Sequence, residues 1–294
     1  MLNPQQITSS KRSKPITLHP PIPQAFQPLD AQPRARGEIV LSAKRHGGRS
    51  VIDGLRQAGA MKALFPRAGA MLQTICINTA GGVTGGDRLS LTASAGPGAA
   101  LGLTTQAAER AYRSRDGEFG RVDSTLQVAA GATLHWLPQE LILYDGCALR
   151  RRLSVDLAAD ARLLMVEPVI FGRAAMGETL TDARFHDRIT LRRAGQPLYC
   201  DAVRLEGDIS RQLARRPIGD GAGAMASLVY VAPDAEAHLA AVRAQLATCG
   251  GASLLAPDVL VLRLLCPDSH VLRQHLLPVL DRLSGDTLPV SWRL

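Results

Sequence analysis

Aromatic side chains are scarce: Phe, Trp and Tyr make up 4% of the 294 residues, while 46% of the chain is apolar. A core must therefore rest on Leu, Val, Ile and Ala, and the chain has the apolar content of a globular protein. Cysteine is sparse too. Cys76, Cys147, Cys200, Cys249 and Cys266 are scattered and form no C-x-x-C pair, which excludes a sequence-readable disulfide framework. The seven histidines show neither H-x-H nor H-E-x-x-H, so no tight local metal site is legible. The N-terminal residues carry no apolar signal core, and no run reaches the ~18 apolar residues of a membrane span. A reducing, cytoplasmic setting is the default expectation, with no membrane partner. Arginine-rich helices, zinc-finger spacings and an aromatic RNP motif are also absent, which argues against a dedicated nucleic-acid binder.

What is present is a diffuse basic surplus. The formal net charge is +8, with arginine clusters at Arg150-Arg151-Arg152, Arg192-Arg193 and Arg215-Arg216. This suits an acidic protein partner or weak attraction to polyanions. Residues 1–34, with PPIPQ, QPRAR and the basic KRSK, have little to bury and read as a flexible N-terminal tail. Residues 35–294 read as one domain.

The stretch NTAGGVTGGDRL (78–89) invites a phosphate-loop reading, because Gly81 and Gly86 have the P-loop spacing. Asp87 and Arg88 stand where that loop needs lysine and a hydroxyl, and a carboxylate there repels a nucleotide. The following LSLTAS alternates like a strand and does not open a helix. The loop therefore reads as a set of compact turns, with Asp87 placed to accept from nearby backbone N–H groups.

Four segments share a pattern of strand, small-residue turn and strand: LSLTASAGPGAAL (89–101), LQVAAGATL (126–134), LSVDLAADARL (153–163) and ITLRRAGQPL (189–198). Leucines at 101, 134, 163 and 198 close them. Such recurrence predicts a mainly β fold, a β-helix-like stack in which each strand pair covers its neighbour, with a sandwich as the alternative. Two C-terminal α-helices are expected, over PDAEAHLAAVRAQLATCG and SHVLRQHLLPVLDRLSG. Pro233 suits N1 of the first and Gly250 lies beyond it as a stop; Ser269 suits the cap of the second. Leu239, Val242 and Leu246 share one apolar face, and Leu272, Leu276, Val279 and Leu283 another. Pro278 is expected to kink the second helix, and DVLVLRLL (258–265) between them is a strand.

On this scaffold sit NTAGGVTGGDRL (78–89), TTQAAERAYR (104–113), WLPQELILYDG (136–146) and EPVIFGRAAMGE (167–178). Together, in order and with consistent spacing, they resemble the urease accessory protein UreD (UreH) family, from about residue 38 to the C-terminus. The resemblance implies a non-enzymatic maturation factor with a β-helical stack and two helices. It implies binding to UreF, which recruits the GTPase UreG, and docking of the assembly on apo-urease for nickel insertion beside a carbamylated lysine. No cofactor is bound stably: Ni²⁺ is transient cargo, and GTP enters only through UreG.

Polar residues recur after the strand that closes each turn. In a stack, Thr105, Glu140 and Glu167 are candidates for a hydrated ladder. The family's implied internal water-filled channel adds Asp87, Glu140 and Glu178 as nickel-path acids, with Asp145 as a further choice. Oxygen ligands hold Ni²⁺ loosely enough to release it. Arg173 is expected to pair with a neighbouring carboxylate or to meet an acidic partner. Cys147, Trp136 and Tyr144 read as packing groups, the two aromatics also as possible partner contacts. The alternatives are an acid/base enzyme using Asp87 or Glu140, which lacks any nucleophile or cofactor motif, and a basic polyanion binder.

Overall fold

The computed structural model describes residues 33–67, 69–115, 117–285 and 287–293. The tail expected over residues 1–34 lies, but for its last two residues, outside them. In chain order the strands are β1 (Arg36–His46), β2 (Arg49–Gly59), β3 (Met61–Leu64), β4 (Leu72–Asn78), β5 (Arg88–Ala95), β6 (Ala100–Thr105), β7 (Glu109–Ala111) and β8 (Gly120–Val128). There follow β9 (Thr133–Leu137), β10 (Leu141–Leu143), β11 (Ala148–Leu157), β12 (Arg162–Phe171), β13 (Ala183–Arg193), β14 (Gln196–Gly207), β15 (Ala224–Val231), β16 (Gly250–Ala256) and β17 (Val259–Cys266). The helices are α1 (Ile209–Leu213), α2 (Ala235–Leu246) and α3 (Ser269–Ser284).

Two sheets face each other. The first runs in the order β14-β13-β11-β8-β5-β1-β2, the second β16-β17-β15-β12-β9-β6-β4-β3. The chain winds between them: β5, β8 and β11 lie in the first sheet and are followed by β6, β9 and β12 in the second, with like strands parallel in successive coils. This is the expected β-helix-like stack, and its closing leucines are in register, Leu101 with Leu134 and Leu134 with Leu163. The corners repeat as well. Ala99 N–H donates to Gly96 O, Ala132 to Ala129 O and Ala161 to Ala158 O, and the three alanines are buried one above another. A larger side chain would hold adjacent coils apart, which is why the turns are written in Ala and Gly.

The fourth copy behaves differently. β13 and β14 form an antiparallel hairpin within one sheet, so Leu198 does not continue the ladder. Ala194 and Gly195 both take positive φ (48° and 77°), the backbone that a two-residue hairpin requires. Beyond it β15, β16 and β17 extend the second sheet antiparallel.

Inward residues alternate along the first sheet, as in Leu89, Leu91, Ala93 and Ala95 of β5, and form the core between the sheets. The second sheet is buried on both sides: Leu163, Met165 and Val169 of β12 point into the stack, and Leu164, Val166 and Ile170 lie under the helices. That double burial explains the mostly apolar runs of β12 and β15, interrupted only by Glu167 and Ser227 after their first residues. The two C-terminal helices supply the cover, through Val242 and Leu246 of α2 and Leu272, Leu276, Val279 and Leu283 of α3. Leu239 packs there half-buried.

The helix starts differ from the expected ones, by one residue in α3 and by two in α2. Asp268, not Ser269, is the N-cap of α3, because its carboxylate accepts from Val271 N–H. α2 starts after Asp234, placing Pro233 before the cap; the Asp234 carboxylate is occupied instead by Tyr230 and His238. Gly250 opens β16 and is not a helix stop. α3 continues through Pro278. Among the described residues no helix is long and apolar enough to cross a membrane.

Candidate functional site

The four sequence phrases stack on one another. After its strand in the second sheet, each coil turns along a short third wall. Val83 bridges to Ala111, β7 pairs with β10, and β10 pairs with the end of β12. The Gly-rich loop opens this wall. Asn78 closes it on itself by donating to Gly82 O (2.9 Å) and accepting from Ala80 N–H (3.0 Å), and it reaches the next coil through Glu109 (3.1 Å). Gly81 and Gly86 take positive φ (77° and 85°). Gly82 and Gly85 are needed for closeness: a Cβ would collide with the Tyr112 ring at Gly82 and with Ser114 at Gly85. The glycines let the loop press against the coil above it.

Asp87 locks this arrangement. It is 4% exposed, and its two oxygens accept from Ala35 N–H (2.7 Å) and Thr84 N–H (2.8 Å), joining the loop to the entry of β1. The backbone-accepting role read from the sequence is the one its carboxylate performs.

Outside, the wall carries a column. The rings of Tyr112 and Tyr144 meet edge to face at 5.0 Å, and Arg173 lies 4.4 Å over Tyr144. Tyr144 is thus a half-buried surface ring, whereas Trp136 is buried. Beside the column, Asp145 accepts from Arg113 (2.8 Å), Thr181 N–H (2.7 Å) and Asp182 N–H (3.0 Å). Burial alone would push its pKa up, but these donors hold it below the usual carboxylate range. Glu178 is held low by a two-pronged contact with Arg173 (2.9 Å each), and it also accepts from Asp145 N–H. Met176, at the tip of this loop, is 73% exposed. Asp145 and Glu178 therefore belong to an outer cluster on the wall.

Behind the wall, between the sheets, lies a cavity of about 290 Å³. Leu89, Leu91, Val122 and Leu149 line it from the first sheet, and Cys76, Asn78, Thr105 and Trp136 from the second; Glu109 and Gln139 come from the wall. Its lining runs from the exposed Gln106 and Ala107 inward to Glu167 and Arg151. Burial pushes the Glu109 carboxyl up, partly offset by hydrogen bonds from Arg110 N–H and Asn78, and burial raises the Cys76 thiol to about 12.

At the inner end sits a charge cluster. Glu167, 3% exposed, accepts from the Trp136 indole N–H (2.6 Å) and contacts Arg151 (2.5 Å), an ionic contact without hydrogen-bond alignment. Arg151 donates two hydrogen bonds to Asp187 (2.6 and 3.0 Å). Burial raises the Glu167 pKa despite Arg151, and the two carboxylates raise that of Arg151 against its own desolvation. Asp187 was not singled out from the sequence and Arg151 only as part of an arginine run, yet a signal exists. Each takes an inward position, between Leu149 and Leu153 and between Phe185 and Ile189, and the two are in register.

The six sequence candidates thus separate. Thr105 and Glu167 line the cavity, each four residues past a registered leucine. Glu140, six past its leucine, lies outside that register and pairs with Arg273 of α3 (2.8 Å). Asp87 holds backbone, while Asp145 and Glu178 face outward. Both carboxylates considered for acid/base work, Asp87 and Glu140, are already committed to fixed partners. Cys147 is a buried thiol. Among the described residues no three His, Cys, Asp or Glu side chains converge as a metal-ligand set.

The family model for the UreD urease accessory protein matches residues 35–292. The chain is 54% identical to a protein of Roseobacter denitrificans named urease accessory protein UreD, over 91% of this chain and 97% of that one. It is 53% identical to the one of Ruegeria pomeroyi (86% and 99%) and 40% identical to the one of a Methylobacterium species (88% and 95%).

Proposed function

The chain belongs to the UreD family of urease accessory proteins, and from that premise we propose that it is the scaffold on which apo-urease meets a UreF–UreG pair, with Ni²⁺ crossing the scaffold's interior as cargo. Its relatives are named accessory proteins, not enzymes, and the chain acts as an accessory protein in urease maturation. The setting is cytoplasmic.

The observation that carries the passage reading is the cavity, which joins an exposed rim to a buried carboxylate. Asn78, Thr105, Glu109, Gln139 and Glu167 offer oxygens to it, beside Cys76 and the cations Arg110, Arg151 and Arg152; oxygen ligands hold Ni²⁺ weakly and release it readily. Gln139 Nε2 is buried without a hydrogen-bond partner from the protein. Such a group is where ordered water resides. Arg151 offsets the charge of Glu167 and Asp187, so the inner end carries too little net negative charge to trap a dication. The outer column of Tyr112, Tyr144 and Arg173 supplies an aromatic and arginine surface suited to a partner interface.

The test is to obstruct the cavity. Ala108 lines it and is half-buried, and Ala108→Trp would occupy the lumen. With the variant assembled with UreF, UreG and apo-urease, nickel per urease active site is measured by elemental analysis. Loss of nickel loading with partner binding retained is expected; wild-type loading through an obstructed cavity overturns the passage.

A further inference from the structure

The outer face of the first sheet carries a feature that the interior reading does not use. Register places Arg36 beside Arg88, Arg88 beside Arg121, and Arg121 beside Arg150, one on each of four adjacent strands. Arg36, Arg88 and Arg121 are exposed and Arg150 is half-buried, on the face opposite the inward Ile39, Leu89, Leu149 and Arg151. Neighbouring strands stand ~4.8 Å apart, so the row spans roughly 14 Å. Like charges directly opposite each other on a sheet destabilise it, so a row of four needs a reason. Among the described residues, none of these four forms a salt bridge with a carboxylate. Farther along the row, His186 and Arg204 are balanced by Glu206 (2.5 and 3.0 Å).

The row is also held in place without being neutralised. Arg150 lies 4.7 Å over the Phe119 ring, which His186 flanks at 4.8 Å. Two residues farther along the strands, the outward side chains include Ser90, Glu38 and Asp123. Four residues along they are small and β-branched: Val40, Thr92, Thr125 and Ser154. The result is a cationic rim beside a flat face.

We propose that this arginine row is a docking strip for a line of carboxylates on a protein partner in the maturation assembly, an inference that rests on the scaffold reading. An acidic helix fits: Asp or Glu at i, i+4 and i+8 spans ~12 Å, close to the length of the row. A nucleic acid fits less well, because Glu38 and Asp123 lie next to the row and would repel a continuous phosphate chain.

The experiment uses Arg88→Ser/Arg121→Ser in the full chain. Both positions are exposed, and relief of like-charge repulsion leaves the melting temperature unchanged or higher. Affinity is measured separately for purified apo-urease, for the UreF-type partner and for a DNA duplex, at about 0.05 M and about 0.3 M salt. The expected result is roughly tenfold weaker binding to one protein partner at low salt, with the difference closing at high salt. Unchanged affinity for both proteins, or weakening towards DNA alone, overturns the proposal. Ala108→Trp is measured alongside: wild-type affinity with lost nickel loading means that the docking strip and the passage fail or stand independently.

Discussion

Arg151 is the perturbation with the largest consequence. It is the one cation in a buried cluster with two acids, Glu167 and Asp187, at 2.5–3.0 Å. Replacing it with Met keeps the aliphatic stem and leaves both buried carboxylates without their cation. Removing one partner from a buried ionic cluster costs about 3–5 kcal/mol, a large share of the ~5–15 kcal/mol that holds a domain folded. The sign of the pH dependence follows. Burial already raises the folded-state pKa of Glu167, and loss of Arg151 raises it further above an unfolded value of roughly 4. The folded variant then binds more protons than the unfolded chain, so its stability falls as pH rises through that window. In urea titrations followed by tryptophan fluorescence, where Trp136 hydrogen-bonds to Glu167, Arg151→Met should lose more stability at pH 8 than at pH 5.5. Adding Glu167→Gln and Asp187→Asn to Arg151→Met should recover much of it. A wild-type midpoint, or a greater loss at the lower pH, would refute the reasoning.

Two further outcomes follow from the same geometry. His135 is 6% exposed on β9 and near Thr287, and burial lowers its pKa to about 4. Its contribution is complete above the unfolded value of roughly 6.5 and is lost as pH falls towards 4, an effect of about 3 kcal/mol at most; His135→Gln should flatten the stability–pH curve in that window. Asp87→Ala leaves two backbone N–H groups, those of Ala35 and Thr84, without their acceptor, at ~1–3 kcal/mol each. A clear drop in melting temperature is expected, smaller for Asp87→Asn, and equal melting of Asp87→Ala and wild type would contradict the locking role.

Much of the fold was legible because its rules are local. Strand-turn-strand repeats, alanine-rich corners, two amphipathic helix stripes and the turn-accepting role of Asp87 all depend on near neighbours in the chain. The candidate site was legible only in part. Thr105 and Glu167, each four residues past a registered leucine, reach the cavity, but Glu140, six past its leucine, pairs with Arg273, and Asp87, Asp145 and Glu178 each take a backbone or arginine partner that lies far from them in the chain. The β13–β14 hairpin also resembled the corners in letters. Two consecutive positive-φ residues, Ala194 and Gly195, make the hairpin, whereas the corners at Gly98 and Gly131 each have one.

The sequence by itself determined the repeating strand pattern, the small-residue corners and the UreD-like phrases, since periodicity and turn chemistry act within a few residues. The tertiary structure alone decided that Glu167 from one sheet meets Arg151 and Asp187 from the other, and that four arginines from distant segments stand side by side. The first depends on two sheets closing over one core and the second on register between successive coils, which packing fixes and no local preference encodes.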